Sequence, residues 1–137
     1  MPPMNSAPDS AATSIRVLVA DDDRAYLGSL RELIDQQPEL EVVATAVDGV
    51  QAIELAEQLE PDAVVLDVHM PLLDGVSAAA RLRRDHPSIC LIALTGDDAP
   101  ALHRAVLEAG ADEVLLKSAI LDALLERLTG VRAVAKT

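Results

Sequence analysis

The sequence contains no tryptophan, no phenylalanine and a single tyrosine, Tyr26. Any core it buries must therefore be aliphatic, packed with Val, Leu, Ile and Ala. Apolar residues make up 50% of the chain, so the material for such a core is present. Cys90 is the one cysteine, which excludes an internal disulfide. Set in an apolar run, it reads as a small buried side chain. No apolar run approaches the roughly 20 residues of a membrane span. The N-terminus lacks the basic and apolar regions of a secretory signal. A cytoplasmic protein without membrane insertion is expected. Basic residues are scarce: 11 Lys and Arg stand against 23 Asp and Glu, a net charge of −12. Nucleic-acid binding by counterion release needs clustered Lys and Arg, so direct contact with nucleic acid is not expected. The acidic excess favours solubility and basic or amphipathic protein surfaces as partners. Part of it is crowded into short loops, which points to a cation site.

A length of 137 residues fits one domain. Residues 1–14 are rich in Pro, Ala and Ser without an apolar period and read as a tail outside the fold. From Ile15 a strand–helix alternation begins. Ile15–Ala20 is a short apolar run rich in β-branched residues. Leu27, Leu30, Leu33 and Ile34 follow at helical spacing. Glu41–Ala46 reads as a strand, and Val50–Leu59 as a helix through Ile53, Leu55, Ala56 and Leu59. Ala63–Leu66 is a strand, and Ser77–Asp85 a helix with Ser77 as its cap. Ile89–Leu94 is the next strand. Ala101–Ala109 is a helix stopped by Gly110, Glu113–Leu116 a strand, and Ala119–Leu128 the last amphipathic helix. The folded unit spans 15–129, with 130–137 a short extension.

Near-continuous apolar strands imply burial on both faces, hence a parallel sheet covered by helices on both sides. Right-handed crossovers leave few topologies. The leading one is a flavodoxin-like, doubly wound α/β fold: five parallel strands in the order 2-1-3-4-5, with five helices. Ligands of such sheets bind beyond the carboxyl ends of the strands, where the order reverses between strands 1 and 3. Asp21, Asp22 and Asp23 follow strand 1, and Asp67 follows strand 3. Under the expected order these carboxylates converge and repel one another unless a cation joins them. Oxygen ligands with room for water suit Mg²⁺. Asp23 reads equally well as a helix cap. Thr95 after strand 4 and Lys117 after strand 5 reach the same edge. A hydroxyl and a fixed cation beside a carboxylate and Mg²⁺ meet the needs of phosphoryl transfer, which are in-line positioning and neutralised oxygen charge. The carboxylate is then the nucleophile. Singly, each of these residues has an ordinary structural explanation; the signal lies in their joint occurrence at four strand ends.

The stretches VLVADDD, AVVLDVHMPLLDG, IALTGDD and AGADEVLLK resemble the receiver domain of bacterial two-component response regulators, from about Ile15 to Leu128. PELEVVATAVDGVQAIELA is similar to receivers of the LuxR/NarL-type subclass. The resemblance implies Mg²⁺-dependent phosphorylation of Asp67 by a sensor histidine kinase or a small phosphodonor. It implies Mg²⁺ held by Asp21, Asp22, Asp67 and the backbone carbonyl of His69. Thr95 and Lys117 would contact the phosphoryl group, Met70, Pro71 and Gly75 would shape the loop beside the acceptor, and His69 and Asp97 would tune access of water and phosphatases. The domain would catalyse its own phosphoryl transfer and slow autodephosphorylation without being an enzyme toward other substrates.

Two residues depart from the family pattern. Val114 stands where an aromatic residue or His usually acts as a rotating switch, and Ser118 stands where a cis-proline is usual. A cis bond before a residue other than proline costs about 2.5–4 kcal/mol. Retained phosphorylation chemistry with altered output is the expectation.

The chain ends nine residues past Leu128. A stand-alone receiver, the receiver of a longer DNA-binding regulator and an accessory subunit of a larger protein assembly all fit. Output is expected through helix 4, strand 5 and helix 5. A scaffold that binds its partner irrespective of phosphorylation is the alternative. A Mg²⁺ phosphohydrolase of similar fold is disfavoured, because His69 stands two residues after Asp67 where a second Asp would serve as acid and base.

Overall fold

The computed structural model describes residues 14–117 and 121–136. Elements alternate throughout: β1 (Ile15–Ala20), α1 (Arg24–Asp35), β2 (Leu40–Ala46), α2 (Gly49–Leu59), β3 (Ala63–Asp67), α3 (Gly75–Asp85), β4 (Cys90–Thr95), α4 (Pro100–Ala109), β5 (Glu113–Leu116) and α5 (Leu121–Lys136). The five strands form one sheet in the order β2-β1-β3-β4-β5, and every pairing is parallel. This is the flavodoxin-like topology expected from the sequence.

Alternation along the strands explains the two layers of helices. Val17 and Val19 point to one face, and Leu18 and Ala20 to the other. Both sets are fully buried, so each face needs its own cover. One face packs Leu27, Leu30 and Ile34 of α1 with Leu124 and Leu128 of α5 over Val65, Ile92 and Leu94. The other packs α2, α3 and α4 over Val64, Leu66, Leu91 and Ala93, largely through Ala52, Ala56, Ala78, Ala79 and Val106. Small alanines let these helices lie close to the sheet, and no aromatic ring is needed to fill the gap. Cys90 is buried in the first cluster, and burial pushes its thiol pKa up.

Caps fix where helices start. Asp48 accepts a hydrogen bond from Gln51 N at 2.7 Å, and Gln51 Oε1 accepts one from Val47 N at 3.0 Å. The start of α3 differs from the sequence expectation. Asp74, not Ser77, is its cap: Ser77 N donates to Asp74 Oδ1 at 2.9 Å, so the helix opens two residues earlier, at Gly75. Asp accepts this bond better than a Ser already inside the first turn. The last helix also differs. It runs from Leu121 to Lys136 rather than ending at Leu128, so residues 130–136 continue it. Residues 1–13 of the expected tail and the Lys117–Ser118 bond lie outside the described residues.

Arg83 at the end of α3 ties several elements together. Its guanidinium donates to Gly110 O at 2.9 Å, Pro87 O at 2.8 Å, Ile89 O at 2.9 Å and Asp112 Oδ2 at 2.9 Å. Asp112 Oδ2 also accepts from Leu91 N at 2.8 Å, which joins the start of β4 to the loop before β5.

Candidate functional site: an acidic cluster closed by a lysine

Parallel pairing brings the carboxyl ends of β1, β3, β4 and β5 to one edge. Ala20 pairs with Leu66, Asp67 with Leu94, and Thr95 with Leu116. Asp21, the end of β3 at Asp67, the end of β4 at Thr95, and Lys117 therefore share that edge. One carboxylate oxygen each from Asp21, Asp22 and Asp67 lies within 4.8 Å of the others. Asp21 is fully buried, Asp67 is 3% exposed, and Asp22 faces solvent.

Local hydrogen bonds set this arrangement. Asp21 Oδ1 accepts from Asp23 N at 2.9 Å. Asp23 caps α1, its Oδ1 accepting from Ala25 N at 3.1 Å and Tyr26 N at 3.2 Å. The third aspartate of the triplet is thus a cap and stands outside the cluster. Asp67 Oδ1 accepts from His69 N at 3.2 Å. His69 itself is exposed. Gly75 N donates to Val68 O at 2.8 Å, and a Cβ at Gly75 would overlap the Val68 backbone, so the loop beside Asp67 closes tightly only with glycine there. In the same loop Leu72 is 79% exposed with φ of 70°, a left-handed conformation that L residues with side chains rarely adopt.

Lys117 Nζ closes the site, 2.8 Å from Asp21 Oδ2 and 3.4 Å from Asp67 Oδ2. It also lies 4.6 Å from the centroid of the Tyr26 ring. Burial pulls the Lys117 pKa down, but the hydrogen bond to Asp21 and the charges of Asp67 and Asp21 outweigh it, and the net shift is upward. Asp67 is pushed from 3.8 up to about 6, first by burial and then by the Asp21 charge; the His69 N–H and Lys117 pull it partly back. One ammonium does not neutralise the cluster. Asp21 Oδ2 is buried, and the partner it faces is the Lys117 ammonium at 2.8 Å. Such an oxygen beside two further carboxylates fits a divalent cation with hard oxygen ligands.

Thr95 is fully buried at the same edge, but its hydroxyl is turned into its own loop. Oγ1 accepts from Asp97 N at 2.9 Å and donates to Asp97 O at 3.3 Å. Asp97 is exposed, and its Oδ1 accepts from Ala99 N at 2.9 Å. Val114 pairs with Ala93 and packs half-buried against the alanine-rich cluster. Sequence reasoning missed the place of Tyr26 over Lys117. Its signal was available: one aromatic residue in the whole chain, three positions after the aspartate triplet.

The family described as response regulator receiver domain matches residues 17–129. The transcriptional regulatory protein PrrA of Mycobacterium tuberculosis is 42% identical over 120 residues, covering 88% of this chain and 51% of PrrA. The nitrate/nitrite response regulator protein NarP of Escherichia coli is 39% identical over 125 residues, covering 91% of this chain and 57% of NarP. Among solved structures, the signal receiver domain of NarL from Mycobacterium tuberculosis superposes with a TM-score of 0.82 at 28% identity, covering 88% of this chain and 97% of that one. The chain belongs to the response regulator receiver domain family. Similarity to NarP and NarL agrees with the LuxR/NarL-type character of residues 38–56. The chain spans about half the length of the curated relatives PrrA and NarP. No described helix is long and apolar enough to cross a membrane.

Proposed function

We propose that Asp67 is the phosphoacceptor of this receiver and that Asp21, Asp22 and Asp67, with the His69 carbonyl, hold Mg²⁺. The observation that carries this reading is the convergence of three carboxylates within 4.8 Å, with a lysine ammonium on two of them. A carboxylate oxygen of Asp67 attacks the phosphorus of a phosphohistidine or acyl phosphate. The bond from phosphorus to the leaving nitrogen or oxygen breaks, and the leaving group departs with the electron pair. The product is an aspartyl phosphate. Bound Mg²⁺ would offset charge on the phosphoryl oxygens. Lys117 adds a fixed positive charge at the same place.

A sensor histidine kinase is the expected donor. The phosphoryl group then competes with the Asp97 loop for the Thr95 hydroxyl. A state in which Thr95 turns from Asp97 toward Asp67 binds the group better and is populated by it. Output passes to a protein partner through α4, β5 and α5, where Leu107 is 45% exposed. Val114 has no ring to swing, so this coupling runs through the Thr95 loop and α4 rather than through an aromatic switch. His69 and Asp97, both exposed near the acceptor, tune access to it.

The packed, aliphatic Val114 also favours a second reading, a scaffold whose partner binding ignores the phosphoryl state. One experiment addresses both. The protein and Asp67→Asn are incubated with acetyl phosphate and Mg²⁺ and resolved on a phosphate-affinity gel. A shifted band for the wild type alone, abolished by EDTA, is expected. An equal shift in Asp67→Asn removes Asp67 as acceptor. Partner binding that is identical for wild type, Asp67→Asn and the beryllofluoride form replaces the switch with the scaffold.

A further inference from the structure

Tyr26 is the only aromatic residue in the chain, and it stands at the acidic site. Its backbone N–H is held by Asp23, whose own N–H is held by Asp21. The triplet that supplies two candidate metal ligands therefore also places the ring. Tyr26 packs, half-buried, against the apolar cluster of the α1 and α5 face. Lys117 Nζ lies over the ring at 4.6 Å from its centroid, inside the roughly 6 Å range of cation–π attraction.

Three groups thus compete for one ammonium: Asp21 at 2.8 Å, Asp67 at 3.4 Å and the ring. The carboxylates hold it most strongly. They belong to carboxylates that a divalent ion would take, and such an ion repels an ammonium at short range. Once displaced, a lysine head on a flexible four-carbon stem scatters among rotamers and water. An aliphatic side chain at position 26 offers it nothing. An aromatic face offers a neutral, electron-rich surface for which the metal does not compete.

We propose that Tyr26 is a positioning residue: its ring face keeps the Lys117 ammonium beside Asp67 when a divalent ion occupies the carboxylates. The ammonium then meets the incoming phosphoryl oxygens from a preset place. This rests on the reading of Asp67 as acceptor and Lys117 as partner of the phosphoryl group. The ring carries the effect and the hydroxyl does not, so phenylalanine suffices.

The test is a double-mutant cycle. Wild type, Tyr26→Phe, Tyr26→Leu, Lys117→Ala and Lys117→Ala/Tyr26→Leu are incubated with acetyl phosphate and Mg²⁺. Initial phosphorylation rates are read on a phosphate-affinity gel, and urea midpoints verify that each variant is folded. Tyr26→Phe is expected within about two-fold of wild type, and Tyr26→Leu slower by about three- to ten-fold. In the Lys117→Ala background the same Leu substitution changes the rate by less than about two-fold, because the group it positions is gone. If Lys117→Ala is too slow to follow, affinity for beryllofluoride with Mg²⁺ completes the cycle. A Tyr26→Leu rate equal to wild type overturns the proposal. So does a Tyr26→Phe rate as low as Tyr26→Leu, or an undiminished Leu effect without Lys117. A wild-type protein that takes no phosphate at all removes the acceptor reading first, and the role of Tyr26 with it.

Discussion

Replacing Asp67 with asparagine should stabilise the metal-free protein at neutral pH, although it removes the proposed acceptor. Asp67 is 3% exposed, and its pKa is pushed from 3.8 to about 6, by burial first and the Asp21 charge second. The native state therefore holds the proton more tightly than the unfolded chain does. Below about pH 4 the carboxyl is protonated in both states and its folded form carries no charge penalty. As pH rises from about 4 through 6, the unfolded chain releases the proton while the native site retains it, and stability falls. Above about pH 6 both are ionised and the whole contribution is lost. A shift of about 2 pKa units corresponds to about 3 kcal/mol as an upper bound. Asparagine has the same shape, still accepts from His69 N, and has no carboxyl to ionise. The difference in stability between Asp67→Asn and wild type should therefore grow from pH 4 to pH 7 and reach about 1–3 kcal/mol in favour of the mutant, or roughly 3–10 °C in melting temperature. Excess Mg²⁺ should shrink that gap, because an ion bound by the native carboxylates stabilises the wild type by mass action. Urea unfolding at pH 4.5, 6.0 and 7.5, in EDTA and then in Mg²⁺, reads all three effects. Two results would refute the reasoning: a mutant less stable than wild type at pH 7.5 in EDTA, or a difference that does not change with pH.

Two further substitutions test the frame around the site. Leu72 is exposed at φ of 70°, so Leu72→Gly relieves left-handed strain and loses little burial; allowing for the greater flexibility of glycine in the unfolded chain, a gain of about 0.5–1 kcal/mol is expected in denaturant melts. A loss of stability would mean that the Leu72 side chain makes a contact worth more than the strain. Arg83→Ala removes charged hydrogen bonds to three backbone carbonyls and to Asp112. Its expected cost is about 2–4 kcal/mol, seen as a lower urea midpoint with an unchanged slope; a change below about 0.5 kcal/mol would show that water replaces the clip.

The strands, the succession of five helices, the sheet order and the gathering of Asp21, Asp22 and Asp67 with Lys117 were legible in the sequence. The reason is local: near-continuous apolar runs such as Ile15–Ala20, helical spacing over Leu27–Ile34, and acidic residues placed directly at strand ends. Once the strand order is given, strand-end residues have nowhere else to go. The structure decided which of several available partners each polar side chain takes, whether that partner is near in sequence or far. Asp23 had two equal readings until the first turn of α1 claimed its carboxylate. Ser77 lost the start of α3 to Asp74, three residues earlier. The Thr95 hydroxyl bonds Asp97, a choice among rotamers that no periodicity encodes. The Lys117 ammonium sits nearer Asp21 than Asp67, and over Tyr26, because charge and burial from β1, β3 and α1 act on it together. Pattern in the chain fixes where the backbone goes. Which of several available partners a polar side chain takes is set by competition in three dimensions.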